Sequence, residues 1–274
     1  LEVSLEQNQF CKELSEWFVV PMAAAIWSGS DFQIQQFPVR SFAQFYENHG
    51  LLAVSGHPLW YTVNGGSHSY VRAFLKTFKG KTSINTRIER IKRSSGKVII
   101  DFKDGPSREF DAVVMAAHAD ESLRLLDDPT QDEQDLLGVW SYSKNIAVLH
   151  TDVSVMPIEK RAWASWNYTR DIMGDNTKPV VVTYDMKRLQ GLDTHRPYFV
   201  TLNPAGPIKK ETIIREIEYT HPQYSFEALD SQSRLDRING RNNTYFCGAY
   251  HGYGFHEDGV NSALAVADKF GIRL

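Results

Sequence analysis

Four glycines near the carboxyl terminus mark the part of the sequence best suited to bind a ligand. They are Gly248, Gly252, Gly254 and Gly259. Gly248 lies near the end of an apolar, strand-like run over residues 244–250, and the other three lie between this run and a helical pattern. Residues without a Cβ let a ligand approach the backbone closely, and the N–H groups of a helix's first turn favour negative charge. The unit predicts a site for an anionic or carbonyl-bearing ligand, with Asp258 as the helix N-cap.

Ring-bearing side chains in the same loop could form the wall beside that ligand. Tyr253, Phe255 and His256 are our candidates for the catalytic wall, with His251 behind them. Their selection rests on position alone, since no side chain here is a convincing general acid or base.

Two rival chemistries fit the sequence less well. Cys247, His251 and His256 have a spacing that matches neither a structural zinc site nor HExxH, and Cys247 lies in an apolar strand, so no metal is expected. Residues 65–69 (GGSHS) approach the nucleophile elbow of serine hydrolases but lack its final glycine, and no buried strand leads directly into them.

The elements around the glycine loop follow from periodicity and turn residues. Alternating apolar residues with turns at Ser95-Gly96 and Asp104-Gly105 predict a β-meander from Ile88 onward. Residues 110–117 form a continuous apolar run, typical of a strand buried on both faces of a parallel sheet. Between residues 120 and 239, further β-like runs lie around residues 146–150, 163–168, 180–184 and 198–202, and an amphipathic helix is predicted to kink or end at Pro21.

Composition limits the function classes. The chain has 274 residues, 42% of them hydrophobic, and a net charge of −3, so nucleic acid is not an expected partner. Two cysteines cannot build a disulfide framework and suggest a reducing, cytoplasmic compartment. The longest apolar run, residues 17–27, is shorter than the ~20 residues of a membrane span. Peripheral lipid contact and a homo-oligomer stay open. Charged residues from Arg170 to Arg188 predict a solvated face.

Four blocks, in this order, resemble the FAD-dependent amine-oxidase-like family, and within it the bacterial NAD/FAD-binding oxidoreductase branch. The blocks are VNGGSHSY (63–70), NTRIERI (85–91), FDAVVMAA (110–117) and YFCGAYHGYGFHEDGVNSALAVA (245–267). The resemblance implies an α/β fold, with a partial glutathione-reductase-like FAD-binding domain interleaved with a β-sheet-plus-helices substrate domain. It assigns residues 61–118 and 241–274 to the former, and residues 1–60 and 119–240 to the latter.

The resemblance also implies site residues for FAD. Arg87 and Ile88 would contact the adenine end through backbone atoms, and Gly248 would lie against the pyrophosphate and ribityl chain. Asp258, Gly259 and Val260 would begin the helix whose N–H groups face the flavin pyrimidine carbonyl. Phe255 falls where monoamine oxidases place a tyrosine beside the flavin, and the missing hydroxyl argues against amine oxidation in particular.

One family feature is not found in the amino-terminal part of the sequence. Such proteins begin with a strand–GxGxxG–helix unit, and residues 1–80 contain no such unit. The sequence is therefore interpreted as the carboxyl-terminal two-thirds of the family pattern, a fragment. We expect residues 1–274 alone to bind FAD weakly and to self-associate.

The resemblance implies a flavin-dependent oxidoreductase in which FAD accepts a hydride equivalent from a hydrophobic, lipid-like substrate or an amine. Trp140, Trp163 and Trp166 could line a substrate cavity or belong to the core. The alternative is a non-catalytic binding module derived from a flavoprotein that has lost its dinucleotide-binding half.

Overall fold

The computed structural model describes residues 1–53, 55–56, 58–169 and 180–273. They form two compact units: a first unit of residues 1–80 and 142–221, and a second unit of residues 81–141 and 222–274. The sequence placed the domain limits after residues 60, 118 and 240. Which unit serves the cofactor and which the substrate stays a prediction.

The described residues form ten strands and eleven α-helices. The strands are β1 (Ile88–Ser94), β2 (Lys97–Phe102), β3 (Arg108–Phe110), β4 (Val113–Met115), β5 (Ser141–His150), β6 (Trp166–Thr169), β7 (Val181–Asp185), β8 (Phe199–Leu202), β9 (Ile213–Gln223) and β10 (Thr244–Phe246). The helices are α1 (Glu2–Gln7), α2 (Lys12–Leu14), α3 (Val20–Trp27), α4 (Asp31–Gln35), α5 (Val39–Asn48), α6 (His68–Thr77), α7 (Ala119–Leu125), α8 (Gln131–Leu137), α9 (Met186–Gln190), α10 (Phe226–Gln232) and α11 (His256–Lys269). Among them, no helix is both long and apolar enough to span a bilayer.

Short aromatic-rich helices form one part of the first unit. Trp27 packs against Phe37 and Phe45, with ring centroids 4.5 and 5.0 Å apart. Ser30 caps α4 by accepting the Gln33 N–H, and the Gln33 side chain accepts the Ser30 N–H in return. This reciprocal box satisfies two amides that the helix itself leaves unpaired.

The amino-terminal helical segment continues past Pro21, so a helix end at this residue, one of the two predicted outcomes, is wrong. A π-helical segment, Ser15–Val19, joins α2 to α3, and the Val20 N–H donates to the Ser15 carbonyl. Pro21 is the second residue of α3. The helical register therefore changes just before Pro21, next to the position where the sequence predicted a kink or an end.

Strands β6-β7-β8-β5-β9 form a sheet in that order, with antiparallel pairing of β6 with β7, β7 with β8, and β8 with β5. A buried polar chain crosses it: His150 Nε2 lies 2.8 Å from Thr201 Oγ1, which lies 2.9 Å from Thr183 Oγ1. His150 Nδ1 accepts the Asp152 N–H, so the proton resides on Nε2. Burial lowers the pKa of His150, which keeps the ring neutral.

The solvated face predicted for charged residues 170–188 is wrong for Asp185. Its side chain is buried and caps α9 by accepting the N–H groups of Lys187 and Arg188. A carboxylate is stable there because a helix N-terminus carries unpaired donors. Arg170, Asp171 and Asp175, which belong to the same prediction, lie outside the described residues.

The second unit contains the predicted meander and the predicted parallel strand. Strands β1, β2 and β3 pair antiparallel in sequence order, and β4 pairs parallel with β10. Burial on both faces is wrong for β4, because Val114 is 45% exposed. Among the described residues this sheet consists of β4 and β10.

Candidate functional site

The glycine loop connects β10 to α11 in the second unit. The Cys247 N–H donates to the Met115 carbonyl and extends the β10–β4 pairing by one residue. Gly248 then turns the chain into a short 3₁₀ turn, Ala249–His251, and α11 begins at His256. The predicted order of strand, glycine loop and helix is therefore present.

Gly248 leaves no room for a side chain without local rearrangement. Its φ is +153°, and an added Cβ would lie 2.8 Å from the ring of Tyr250. The Gly248 N–H donates to Ser262 Oγ over 2.9 Å, and the same hydroxyl donates to the Gly259 carbonyl over 2.8 Å. Ser262 thus ties the end of the strand to the second turn of α11. No sequence signal marks Ser262 for this role, since a serine inside a helical pattern is compatible with many surroundings.

The start of α11 corrects the prediction for Asp258. The residue is not the N-cap: Phe255 holds that position, and Asp258 is the third residue of the helix. Its carboxylate accepts the Phe255 N–H over 2.9 Å, so it caps the helix from within the first turn. An added Cβ at Gly252 would overlap the Asp258 carboxylate. Glycine at position 252 is what lets this carboxylate reach its partner.

The charge at this helix end determines what it can bind. Glu257 and Asp258 both lie in the first turn of α11, where carboxylates offset the partial positive charge of the N-terminus. They would repel an anionic phosphate. A neutral carbonyl dipole can still accept from first-turn N–H groups, so the helix end suits a carbonyl-bearing ligand better than an anion.

Helix α10 and Tyr224 hold the loop from outside. Gln232 Nε2 donates to the carbonyls of Tyr250 and Gly252 over 2.8 and 2.6 Å, and the Tyr224 hydroxyl donates to Gly252 over 3.0 Å. Trp140 packs edge-on against the rings of Tyr224 and Tyr250. We name these contacts the Gln232 latch. No sequence signal marks Gln232, because its partners are backbone atoms 18 and 20 residues away.

His251 lies under the loop with a buried Nε2 that has no hydrogen-bond partner among the described residues. Burial lowers its pKa from 6.5 to about 4. Neutral imidazole is therefore the folded form at pH 7.

We expect acid to destabilise the second unit through His251. His251 takes up a proton near pH 6.5 in the unfolded chain and near pH 4 in the folded chain. The stability that depends on a neutral His251 is therefore fully present above pH 6.5 and is lost as the pH falls towards 4. The loss is on the order of 3 kcal/mol. Urea unfolding at several pH values measures it. His251→Phe should flatten the dependence of the free energy of unfolding on pH, whereas His256→Phe, at an exposed histidine, should leave it unchanged. Equal pH profiles for the parent chain and His251→Phe would contradict the prediction.

The other predicted site residues occupy different surroundings. Tyr253 is half-buried, Phe255 is 41% exposed, and His256 is exposed at the helix start. Val260 is exposed on the first turns of α11. Their role as a wall or as cofactor contacts stays a prediction.

Arg87 and Ile88 lie at the start of the meander, on a different sheet from the β4–β10 pair that leads into Gly248. The Arg87 carbonyl accepts the Lys103 N–H, and Ile88 pairs with Phe102 beside a bulge. Of the three tryptophans considered for a cavity, Trp140 belongs to the core of the second unit, and Trp163 donates to the Pro157 carbonyl. Trp166 lines a cavity in the first unit.

A family model described as flavin containing amine oxidoreductase matches residues 5–191. The chain belongs to this family. The match excludes the glycine loop, so the site residues there rest on their own geometry. No curated protein matches the sequence. The family depends on a flavin, and its cofactor is FAD.

Solved structures confirm the predicted α/β fold class. A CLA-producing fatty acid isomerase from P. acnes has a TM-score of 0.69 at 17% identity, over 98% of this chain and 65% of that one. Cyclohexylamine oxidase from Brevibacterium oxydans has a TM-score of 0.63 at 11% identity, over 99% of this chain and 68% of that one. The chain thus spans about two-thirds of the length of these proteins.

The second unit fits the flavin-ring end of FAD. The space that a Cβ at Gly248 would take is filled by the ring of Tyr250, whereas an added Cβ at Gly259 would meet only the Ala249 nitrogen at 3.8 Å, so the backbone is open to approach at Gly259. The carboxylates of Glu257 and Asp258 favour the pyrimidine carbonyl over the pyrophosphate at the start of α11. Contact of Gly248 with the pyrophosphate and ribityl chain stays a prediction.

Proposed function

We propose that this chain is part of a flavin-dependent oxidoreductase that acts on a hydrophobic small molecule. The observation that carries the proposal is the unit in which Ser262 ties Gly248 to Gly259 at the start of α11. It places the open backbone of Gly259 beside the N–H groups that begin α11. Family membership supports FAD as the ligand of this place.

Bound FAD would supply hydride acceptance, a chemistry that no side chain of this chain provides. The chain's own residues would hold and shield the ring. First-turn amides of α11 would polarise the pyrimidine carbonyl, and the rings of Tyr253 and Phe255 would exclude water from one side. The Gln232 latch would keep the loop in this conformation, because the amide of Gln232 and the hydroxyl of Tyr224 both end on its carbonyls.

A hydrophobic substrate, lipid-like or an amine, is proposed on two grounds. The cavity in the first unit is lined by aromatic and aliphatic side chains. The similar structures include proteins described as a fatty acid isomerase and as a cyclohexylamine oxidase. Phe255 offers no hydroxyl to an amine nitrogen, which favours the lipid-like substrate.

Binding of FAD tests the proposal. Titration of residues 1–274 with FAD, followed by flavin fluorescence, should show weak but saturable binding. A longer version carrying a strand–GxGxxG–helix unit ahead of residue 1 should bind tightly, and anaerobic addition of a hydrophobic substrate should bleach the flavin absorbance. Absence of saturable binding by both proteins would overturn the proposal and favour the non-catalytic binding module.

A further inference from the structure

A cavity of about 400 Å³ lies within the first unit, between the amino-terminal helical segment and strands β6 and β7. Trp17, Phe18, Met22 and Ala25 come from the helical segment, and Trp166 and Tyr168 face them from β6. A concave, aromatic-lined space of this volume falls within the range of small-molecule sites, roughly 300–1,000 Å³, rather than that of flat protein interfaces.

The helical wall of this cavity has an irregular backbone. Trp17 and Phe18 belong to the π-helical segment Ser15–Val19. Such segments are rare and concentrate at functional sites, because the extra residue re-aims side chains that a regular α-helix would direct elsewhere. The two rings are 61% and 48% exposed, so the irregular turn presents them instead of burying them. The backbone irregularity and the cavity thus identify the same two residues independently.

The electrostatics of the cavity restrict its ligand. None of the described residues that line it carries a charge. The Tyr168 hydroxyl donates to the buried Asp31 carboxylate over 3.1 Å, which fixes the ring at the wall. A charged group placed inside would lose its hydration without gaining a partner of opposite charge.

We propose that this cavity binds the hydrocarbon part of a small molecule, either an acyl chain or an aromatic ring, while any charged group of the ligand stays outside. The inference rests on the proposed function, since it assigns the substrate's apolar part to these residues. Trp17 and Trp166 contribute most of the contact, as large rigid rings give area at low entropic cost.

Two uncharged probes test this without any flavin. The complete chain is titrated with a brominated fatty alcohol and, separately, with bromonaphthalene, and contact quenching of tryptophan fluorescence is followed. Saturable quenching by the alcohol alone indicates that the ligand carries an acyl chain, and saturable quenching by bromonaphthalene alone indicates that it carries an aromatic ring. Each of these outcomes supports the proposal. If neither probe gives saturable quenching, the proposal is overturned. Because FAD binding is measured separately, this failure is distinguishable from failure of the proposed function.

Matched substitutions locate the binding. Ala25→Phe fills the cavity and should weaken probe binding by about tenfold or more, whereas Ala53→Phe, the same change at an exposed alanine, should leave it within about twofold. Trp17→Leu, at an exposed side chain that folding does not require, should reduce the maximal quenching. Circular dichroism checks that each variant is folded. Equal weakening by Ala25→Phe and Ala53→Phe would overturn the assignment.

Discussion

Gly248→Ala should weaken FAD binding by about 5- to 150-fold, both in residues 1–274 and in a longer version that carries a strand–GxGxxG–helix unit. The new Cβ would lie 2.8 Å from Tyr250 Cε1 and would require a φ of +153°, which L-residues rarely adopt. Backbone strain of this kind costs about 1–3 kcal/mol, and each 1.4 kcal/mol is about tenfold in affinity. Relief of the strain would move the loop away from Ser262 and from the start of α11.

Flavin titration of the variant measures this effect, with thermal unfolding recorded in parallel. Gly105→Ala is the matched control, because an added Cβ there meets no atom within 4 Å. Its FAD affinity should equal that of the parent chain. Unchanged FAD affinity in folded Gly248→Ala would remove Gly248 from the site.

Local patterns allowed the main elements of the site to be predicted. The strand, the glycines and the helix of residues 244–269 follow each other in sequence, so alternation, missing Cβ atoms and helical spacing are all visible in one short stretch. The exact helix start was not predictable in the same way. Asp258 is a good N-cap by type, but it serves from the third position because Gly252 leaves room for its carboxylate.

Long-range contacts explain what the sequence could not show. Gln232 acts on backbone carbonyls, which every residue carries, so its sequence neighbours give no hint of the latch. The π-helical segment is invisible because Trp17 and Phe18 also fit ordinary helical spacing. Strand β9 was not predicted, because its charged residues are typical of a surface segment. Its place in the sheet depends on β5, a neighbour that is distant in the sequence.

A buried ion pair in the second unit is the clearest long-range feature of this kind. Arg93 on β1 and Glu133 on α8 have side chains 3% and 1% exposed, and their two nitrogen–oxygen distances are 2.8 and 2.9 Å. Burial alone would raise the pKa of Glu133, but hydrogen bonds from Arg93 and Thr130 outweigh it and lower the pKa. The Arg93 guanidinium also donates to Asp128. All these groups are paired, so the bridge is sensitive to loss of either partner.

Glu133→Leu should therefore destabilise the second unit by about 3–5 kcal/mol, because it leaves the Arg93 charge buried with only part of its partners. Arg93→Met combined with Glu133→Leu should recover most of this loss, since two apolar side chains need no partner. Lys97→Met is the control: it breaks an exposed, solvent-screened pair with Asp111 and should cost far less stability than Glu133→Leu. Urea unfolding followed by the fluorescence of Trp140, which is buried in the second unit, reports these changes.

The double variant decides between charge and packing as the source of the effect. If Glu133→Leu and the double variant were equally unstable, lost packing rather than an uncompensated charge would be responsible. The pH dependence gives a second criterion. The folded-state pKa of Glu133 is depressed, so its contribution is present above the unfolded-state pKa and is lost as the pH falls through the folded value. Below that pH the parent chain should approach Glu133→Leu in stability, whereas at neutral pH the full difference should be seen.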